Sequence, residues 1–317
     1  MSDTHADPIQ SLEDVRGKTA FITGGASGMG WGMAKAFGEA GMNVVIADVR
    51  REPLDQALKG FLDAGLKVHS ILLDVTDRDQ WAAAADEAER VFGNIHILVN
   101  NAGVGVVGPL QAATFKDWDF AMAVNLGGVI NGVMTLLPRM LAHGEAGQVV
   151  VTSSTGGFSA VGGAGIYCTA KFAVAGMMES LATDLQGTAI GASVFFPGPV
   201  STSLGKTTGE VRPEALRNDG PPPPPRTTGD GKPMPGTETF MSTEEVGRRV
   251  LRGIRRRDLF IMTHPEFRDG LVARGDALVR AIPEEAPNTA RHDVIRHYGT
   301  LVYNAIYDSQ APLTEPL

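Results

Sequence analysis

From Lys18 to Phe196 the chain repeats one rhythm, a short apolar run followed by a longer stretch whose apolar positions recur every three or four residues. The apolar runs Thr19–Thr23, Asn43–Ala47, Lys67–Leu73, Ile95–Val99, Gln148–Thr152 and Ile190–Phe196 predict strands, and Leu259–Met262 predicts a seventh. Such short, continuously apolar runs belong in a parallel sheet covered on both faces. Helical spacing predicts helices over Met29–Glu39, Pro53–Ala64, Arg78–Phe92, Trp118–Ala142, Gly165–Gln186 and Thr243–Arg256. The alternation predicts βαβ units: an α/β fold, a single doubly wound Rossmann-type domain with a seven-stranded parallel sheet, over residues 15–262.

The rhythm breaks at Ser201. Residues 203–240 are rich in Gly, Pro and Thr and contain Pro221–Pro225, a run that favours polyproline II and cannot join a sheet ladder. A long aperiodic segment inside a compact domain is a functional lid or disorder, and a substrate lid is the expectation here. Residues 1–14 read as a flexible N-terminus. Residues 263–317 read as a helical extension that packs on the domain or on a partner subunit, with helical spacing through Phe267, Leu271, Ala273–Leu278, Val294, Ile295, Tyr298, Leu301 and Val302.

Composition narrows the classes. With 317 residues, 43% apolar and 20% charged, the chain can bury a full core in one or two domains. Twenty-eight basic against 36 acidic residues give no footprint for nucleic acid or anionic lipid. The longest uncharged stretch, Phe120 to Pro138, holds two Asn and three Gly and reads as a core helix, not a membrane span. Cys168 stands alone, which excludes an intramolecular disulfide and a Cys-rich zinc site, and the seven His fall in no metal-binding spacing. The beginning shows no basic, apolar leader, so a cytoplasmic protein without a metal is expected.

Two clusters carry candidate chemistry. After the first strand comes Thr23-Gly24-Gly25-Ala26-Ser27-Gly28-Met29-Gly30, opening a helix. Glycines there let backbone approach a pyrophosphate, which the helix N-terminus attracts. Asp48 ends the second strand twenty positions after Gly28, where a carboxylate can accept from a ribose diol and repel a 2′-phosphate. That favours NAD over NADP, although Arg50 and Arg51 stand close enough to reach a phosphate; otherwise they begin a solvated helix. Asp74-Val75 either meets the adenine or caps the next helix. At the other cluster, Tyr167 and Lys171 lie four apart on one helix face, so the ammonium can stabilise a phenolate. Ser154, thirteen residues before Tyr167, follows the fifth strand into the crevice where α/β folds bind ligands.

These residues resemble the short-chain dehydrogenase/reductase family, in Thr23-Gly24-x-x-x-Gly28-x-Gly30, Asn100-Asn101-Ala102-Gly103, Asn125, Ser154, Tyr167-x-x-x-Lys171 and Pro197-Gly198-Pro199-Val200-x-Thr202. The resemblance implies Tyr167 as general acid/base, Lys171 holding the nicotinamide ribose and lowering the Tyr167 pKa, Ser154 on the substrate oxygen, and Asn125 holding a relay water. It further implies Asn101 and Gly103 beside the adenosine ribose, Val200 and Thr202 on the carboxamide, Val104, Gly105, Gly156, Phe158 and Pro199 around the substrate, and helix-mediated homodimers or homotetramers. The segments 47–50, 125–132 and 138–140 are similar to those of bacterial NAD-dependent Cα-dehydrogenases, which oxidise benzylic secondary alcohols. The uncharged substrate positions fit a hydrophobic, aromatic alcohol or ketone. Two alternatives stay open: a 3-oxoacyl- or steroid-type NADP-dependent ketoreductase, for which Arg248, Arg249, Arg252 and Arg255–Arg257 would supply a basic patch, and a catalytically silent NAD-binding sensor.

Overall fold

The computed structural model describes residues 12–219, 237–297 and 305–313. Seven strands form one parallel sheet in the order β3-β2-β1-β4-β5-β6-β7. They are β1 (Thr19–Thr23), β2 (Asn43–Asp48), β3 (Val68–Leu72), β4 (Ile95–Asn100), β5 (Gly147–Thr152), β6 (Ile190–Phe196) and β7 (Phe260–Met262). The helices are α1 (Gly28–Glu39), α2 (Arg51–Asp63), α3 (Arg78–Phe92), α4 (Phe115–Met122), α5 (Gly128–His143), α6 (Gly165–Asp184), α7 (Leu204–Val211), α8 (Thr243–Arg256), α9 (Arg268–Arg280) and α10 (Thr289–His297). The central strands β1, β4 and β5 are buried at every position, as two-sided coverage requires.

Two apolar layers sandwich the sheet. On one side Met33, Phe37, Leu54, Phe61, Val246 and Val250 bring in α1, α2 and α8. On the other, Trp81, Val129, Leu136, Val174 and Met178 bring in α3, α5 and α6. Leu12 and Val15 are fully buried in the first layer, so residue 12 of the expected flexible leader is already part of the core. The strand order reverses between β1 and β4, which opens the crevice at their C-terminal ends.

The helix expected over Trp118–Ala142 is instead three pieces. It opens one turn earlier at a capping box between Thr114 and Asp117, and a π-helical turn, Ala123–Gly127, separates α4 from α5. The wider turn aims the fully buried Asn125 side chain at the backbone of Val104, with Val104 N donating to Oδ1 and Nδ2 donating to Val104 O, both at 2.9 Å. The run 115–143 has the length and apolar composition of a membrane span, and half of its most apolar window is buried in the fold.

The aperiodic reading of 203–240 holds only in part. Residues 204–211 form α7, because Leu204, Thr207 and Val211 fall three and four apart and face the crevice. A third small core joins Val211 and Leu216 to Val104, Phe120 and Ile166. Arg212 pairs with Asp117 at 2.8 Å and lies over the Phe120 ring, fastening the segment to α4. Pro221–Pro225 and the positions Tyr298, Leu301 and Val302 lie outside the described residues.

Candidate active site

The turn after β1 is shaped by close approach. A Cβ on Gly30 would stand 2.1 Å from the Gly24 carbonyl oxygen, and Gly28 sits at φ +55, so both positions exclude larger residues. Ser27, extended at φ −158, precedes the free N–H groups that open α1. Across the crevice the Thr23 hydroxyl accepts from the N–H groups of Asn101 and Ala102, each at 3.0 Å, and Asn101 Nδ2 donates to Thr23 O. The Thr152 hydroxyl donates to Asn101 Oδ1 at 3.2 Å. Thr23, placed at the cofactor by resemblance, is therefore a buried strut between β1 and β4, because two strand ends must be tied at the reversal point.

A cavity runs along this reversal. It is walled by Gly24, Ser27, Gly28 and Met29 on one side, and by Asp48, Asp74, Val75, Asn101, Ala102 and Gly103 on the other. Val104, Phe120, Val124, Thr202, Leu204, Thr207 and Val211 close its far end. Glycine backbone at a helix N-terminus, a carboxylate at the end of β2 and an apolar slot after β3 fit a dinucleotide. Asp74 does not cap α3; Asp77 does, with its carboxylate accepting from Asp79 N and Gln80 N. The Asp74 carboxylate accepts from Thr76 and turns the chain along the cavity.

Arg50 is not a solvated helix start. It donates through N and Nε to Asp48 Oδ1, both at 3.1 Å, and through Nη2 to Asp48 Oδ2 and to Ser27 Oγ, at 3.2 and 2.8 Å. It also stands 3.9 Å from Glu210 on α7, while Arg51 is exposed beside Asp55. Nothing in the sequence marks which arginine folds back, since the choice depends on where α7 lies.

The second cluster sits on the other side of Gly103. A Cβ there would come 2.9 Å from Asn125 Oδ1 and 3.6 Å from Lys171 Nζ, so only glycine lets the cavity wall rest on them. On α6, Tyr167 is half-buried and Lys171 fully buried, its Nζ 5.6 Å from the Tyr167 ring centre and donating to Thr152 O at 2.8 Å. Burial without a nearby anion pushes the Lys171 ammonium down to about 8. Burial pushes the Tyr167 phenol up, while its hydrogen bond with Ser154 works the other way. A Cβ on Gly156 would stand 3.2 Å from Cys168 Sγ, so the loop after β5 lies close on α6. The Ser154 hydroxyl also accepts from Gly156 N at 3.1 Å, which fixes the loop after β5.

Several expected substrate and cofactor positions are placed differently. Phe158, after the 3-10 turn Thr155–Gly157, packs on Phe196 and Phe267, with centroids 5.2 and 6.0 Å apart, and does not line the cavity along the strand reversal. Gly105 lies under Leu204, and its N–H donates to Thr208 Oγ1 at 2.7 Å, so α7 covers it. Pro197 is buried, Gly198 N donates to His264 Nδ1, and Pro199 O receives Met241 N. Val200 is buried in a bridge to Met241, and only Thr202 of that motif lines the cavity. Leu204, Thr207, Thr208 and Val211 are site residues that composition hid, although their helical spacing was there to be read.

The family model for short chain dehydrogenase matches residues 18–212. The C alpha-dehydrogenase of Sphingobium sp. strain SYK-6 is 36% identical over 290 residues, 89% of this chain and 93% of that one. The apo form of LigO from the same strain is 38% identical, with TM-score 0.73 over 91% of this chain and 98% of that one. A short-chain dehydrogenase/reductase from Burkholderia phymatum in complex with NAD is 31% identical, with TM-score 0.78 over 87% of this chain and 99% of that one. With the crevice, the glycine turn and the Ser154, Tyr167 and Lys171 cluster in one fold, the chain belongs to the short-chain dehydrogenase family, NAD(P)-binding oxidoreductases of alcohols and ketones.

Proposed function

We propose that this chain is an NAD-dependent dehydrogenase of hydrophobic, aromatic secondary alcohols of the benzylic kind, working reversibly on the matching ketones. The observation that carries the chemistry is the Tyr167 ring one helical turn from a buried ammonium, whose Nζ lies 5.6 Å from the ring centre, with Ser154 acting on the phenol from the loop after β5. In the oxidising direction Tyr167 and Ser154 hold the substrate hydroxyl, and the proton leaves to Tyr167 Oη. Lys171 stabilises the Tyr167 phenolate that accepts this proton, and the proton gained by the phenol is then passed onward at Lys171, with Asn125 positioning the relay beside it. The bound nicotinamide supplies the hydride acceptor. Val104, Phe120, Val124 and Leu204 at the cavity's far end supply an apolar wall, and the relatedness to a C alpha-dehydrogenase supports an aryl substrate. Oxidation of a benzylic aryl-ether alcohol, followed as NADH absorbance beside a steroid and a 3-oxoacyl substrate, tests the reading. Exclusive activity on either of the latter two overturns it.

The preference for NAD rests on Asp48. A 2′-phosphate beside its buried carboxylate loses a factor of about ten or more, the equivalent of about 1.4 kcal/mol. Asp48→Asn is therefore expected to cut the ratio of kcat/KM for NAD over NADP by at least about tenfold. A ratio below one in the unaltered enzyme would show that Arg50, already on Ser27, reads a phosphate instead.

We also read a homo-oligomer from α5, where Ile130, Met134 and Leu141 form an exposed apolar stripe with Met134 69% exposed. Met134→Asp is expected to halve the mass measured by light scattering, with the fold retained.

A further inference from the structure

Among the described residues that wall the cofactor cavity, Arg50 is the only cation. A guanidinium is the group a 2′-phosphate seeks, so the partners Arg50 already holds decide whether NADP finds one free. An arginine carries five N–H groups, one on Nε and two on each Nη. Nε donates to Asp48 Oδ1, and Nη2 donates to Asp48 Oδ2 and to Ser27 Oγ, at 3.1, 3.2 and 2.8 Å. Three of the five are thereby used. The two that remain are on Nη1, and Nη1 faces Glu210 Oε2 at 3.9 Å.

Glu210 is brought there by the fold and not by the reach of its own side chain. Two residues before it on α7, Thr208 Oγ1 accepts from Gly105 N at 2.7 Å; two residues after it, Arg212 pairs with Asp117 at 2.8 Å. The backbone that carries Glu210 is thus tied on one side to the loop after β4 and on the other to α4. One turn earlier, Lys206 Nζ stands 3.7 Å from Glu210 Oε1, which leaves Oε2 for Arg50.

The Arg50 side chain is 17% exposed and that of Glu210 46%, so solvent screens the pair and it adds little to stability. Its effect is on choice. A 2′-hydroxyl needs an acceptor, which Asp48 supplies, and asks nothing of Nη1. A 2′-phosphate has to displace a carboxylate from whichever edge of the guanidinium it takes, and then stand beside that carboxylate.

On the reading of this cavity as an NAD site with Asp48 at the ribose, we propose that Glu210 is a specificity-determining residue for the cofactor, acting through Arg50. It occupies the last free edge of the guanidinium and keeps Arg50 folded on Asp48 and Ser27. The helix α7 then has two tasks: Leu204, Thr207 and Val211 close the far end of the cavity, and Glu210 excludes a phosphate at the adenosine end.

The test is the Kd of the full chain for NADH and for NADPH, read from nicotinamide fluorescence, which needs no substrate. Glu210→Gln is expected to lower the ratio of Kd for NADPH over NADH at least about threefold. In an Arg50→Met background the same substitution is expected to shift that ratio less than about one and a half-fold. A loosened lid moves both Kd values together and leaves the ratio alone, so the ratio separates selection from packing. An unchanged ratio in Glu210→Gln, or an equal shift with and without Arg50, overturns the role of Glu210 while the NAD reading stands. An unaltered chain that binds NADPH more tightly than NADH, or binds neither, overturns both.

Discussion

Tyr167→Phe is expected to lower kcat for alcohol oxidation by about a thousandfold while the Kd for NAD moves less than about threefold. The substitution removes one oxygen and keeps the ring. General acid/base groups contribute about 10² to 10⁴ in rate, and no other described side chain at this site takes the substrate proton directly, since the Ser154 hydroxyl is too weak a base and Lys171 is buried on Thr152 O. The cavity proposed to hold NAD is walled by Ser27, Asp48 and Val75, and Tyr167 is not among its lining residues. Initial rates by NADH absorbance and titration of protein fluorescence with NAD separate the two quantities. If the variant keeps a tenth of the rate, Tyr167 is not the proton acceptor. If both turnover and NAD affinity collapse together, the ring packing has failed and the silent-sensor alternative is tested instead by Ser154→Ala.

What was legible in the sequence is what local spacing alone decides. A four-residue step on a helix places Tyr167 beside Lys171 wherever that helix goes, and a glycine turn between strand and helix lets the backbone pack closely where α1 begins. Asp48 was legible for the same reason, as the last residue of a strand beside that turn. The rest depends on contacts between segments far apart in the chain. Arg50 looks like a solvated residue until β2 and α7 are both in place, and then it binds Asp48 and Ser27 and approaches Glu210. Phe158 looks like a pocket residue because it follows Ser154 by four, but it packs instead on Phe196 and Phe267 from strands and turns far along the chain. Low apolar content concealed α7, which is stabilised less by its own sequence than by Thr208 on Gly105 and by Arg212 on Asp117. The π turn at Asn125 was invisible for a related reason. Its benefit is a pair of hydrogen bonds to Val104, more than twenty residues upstream, and no periodicity records them.

The pH dependence of oxidation should follow the pair Tyr167–Lys171 and not either group alone. Burial lowers Lys171 to about 8 and raises Tyr167, so the first proton to leave the pair is drawn from the ammonium. A neutral amine beside a protonated phenol and an ammonium beside a phenolate hold the same number of protons, and substrate selects the second arrangement. Oxidation is then expected to gain about tenfold in kcat/KM for each pH unit below about 8 and to level off above it. In Lys171→Met the phenol must ionise unaided, from a value above its ordinary 10, so the rising limb moves past pH 10 and the rate at pH 7 falls by about a hundredfold or more. Stability carries the same signature. Between about 8 and the ordinary 10.5 of a lysine, the unfolded chain holds a proton at Lys171 that the folded chain has released, so unfolding free energy from this group rises with pH across that window. Lys171→Met is expected to remove that rise, seen as a flatter difference in denaturation midpoint between pH 8 and 10. A limb that stays near 8 in the variant would assign the titration to another group.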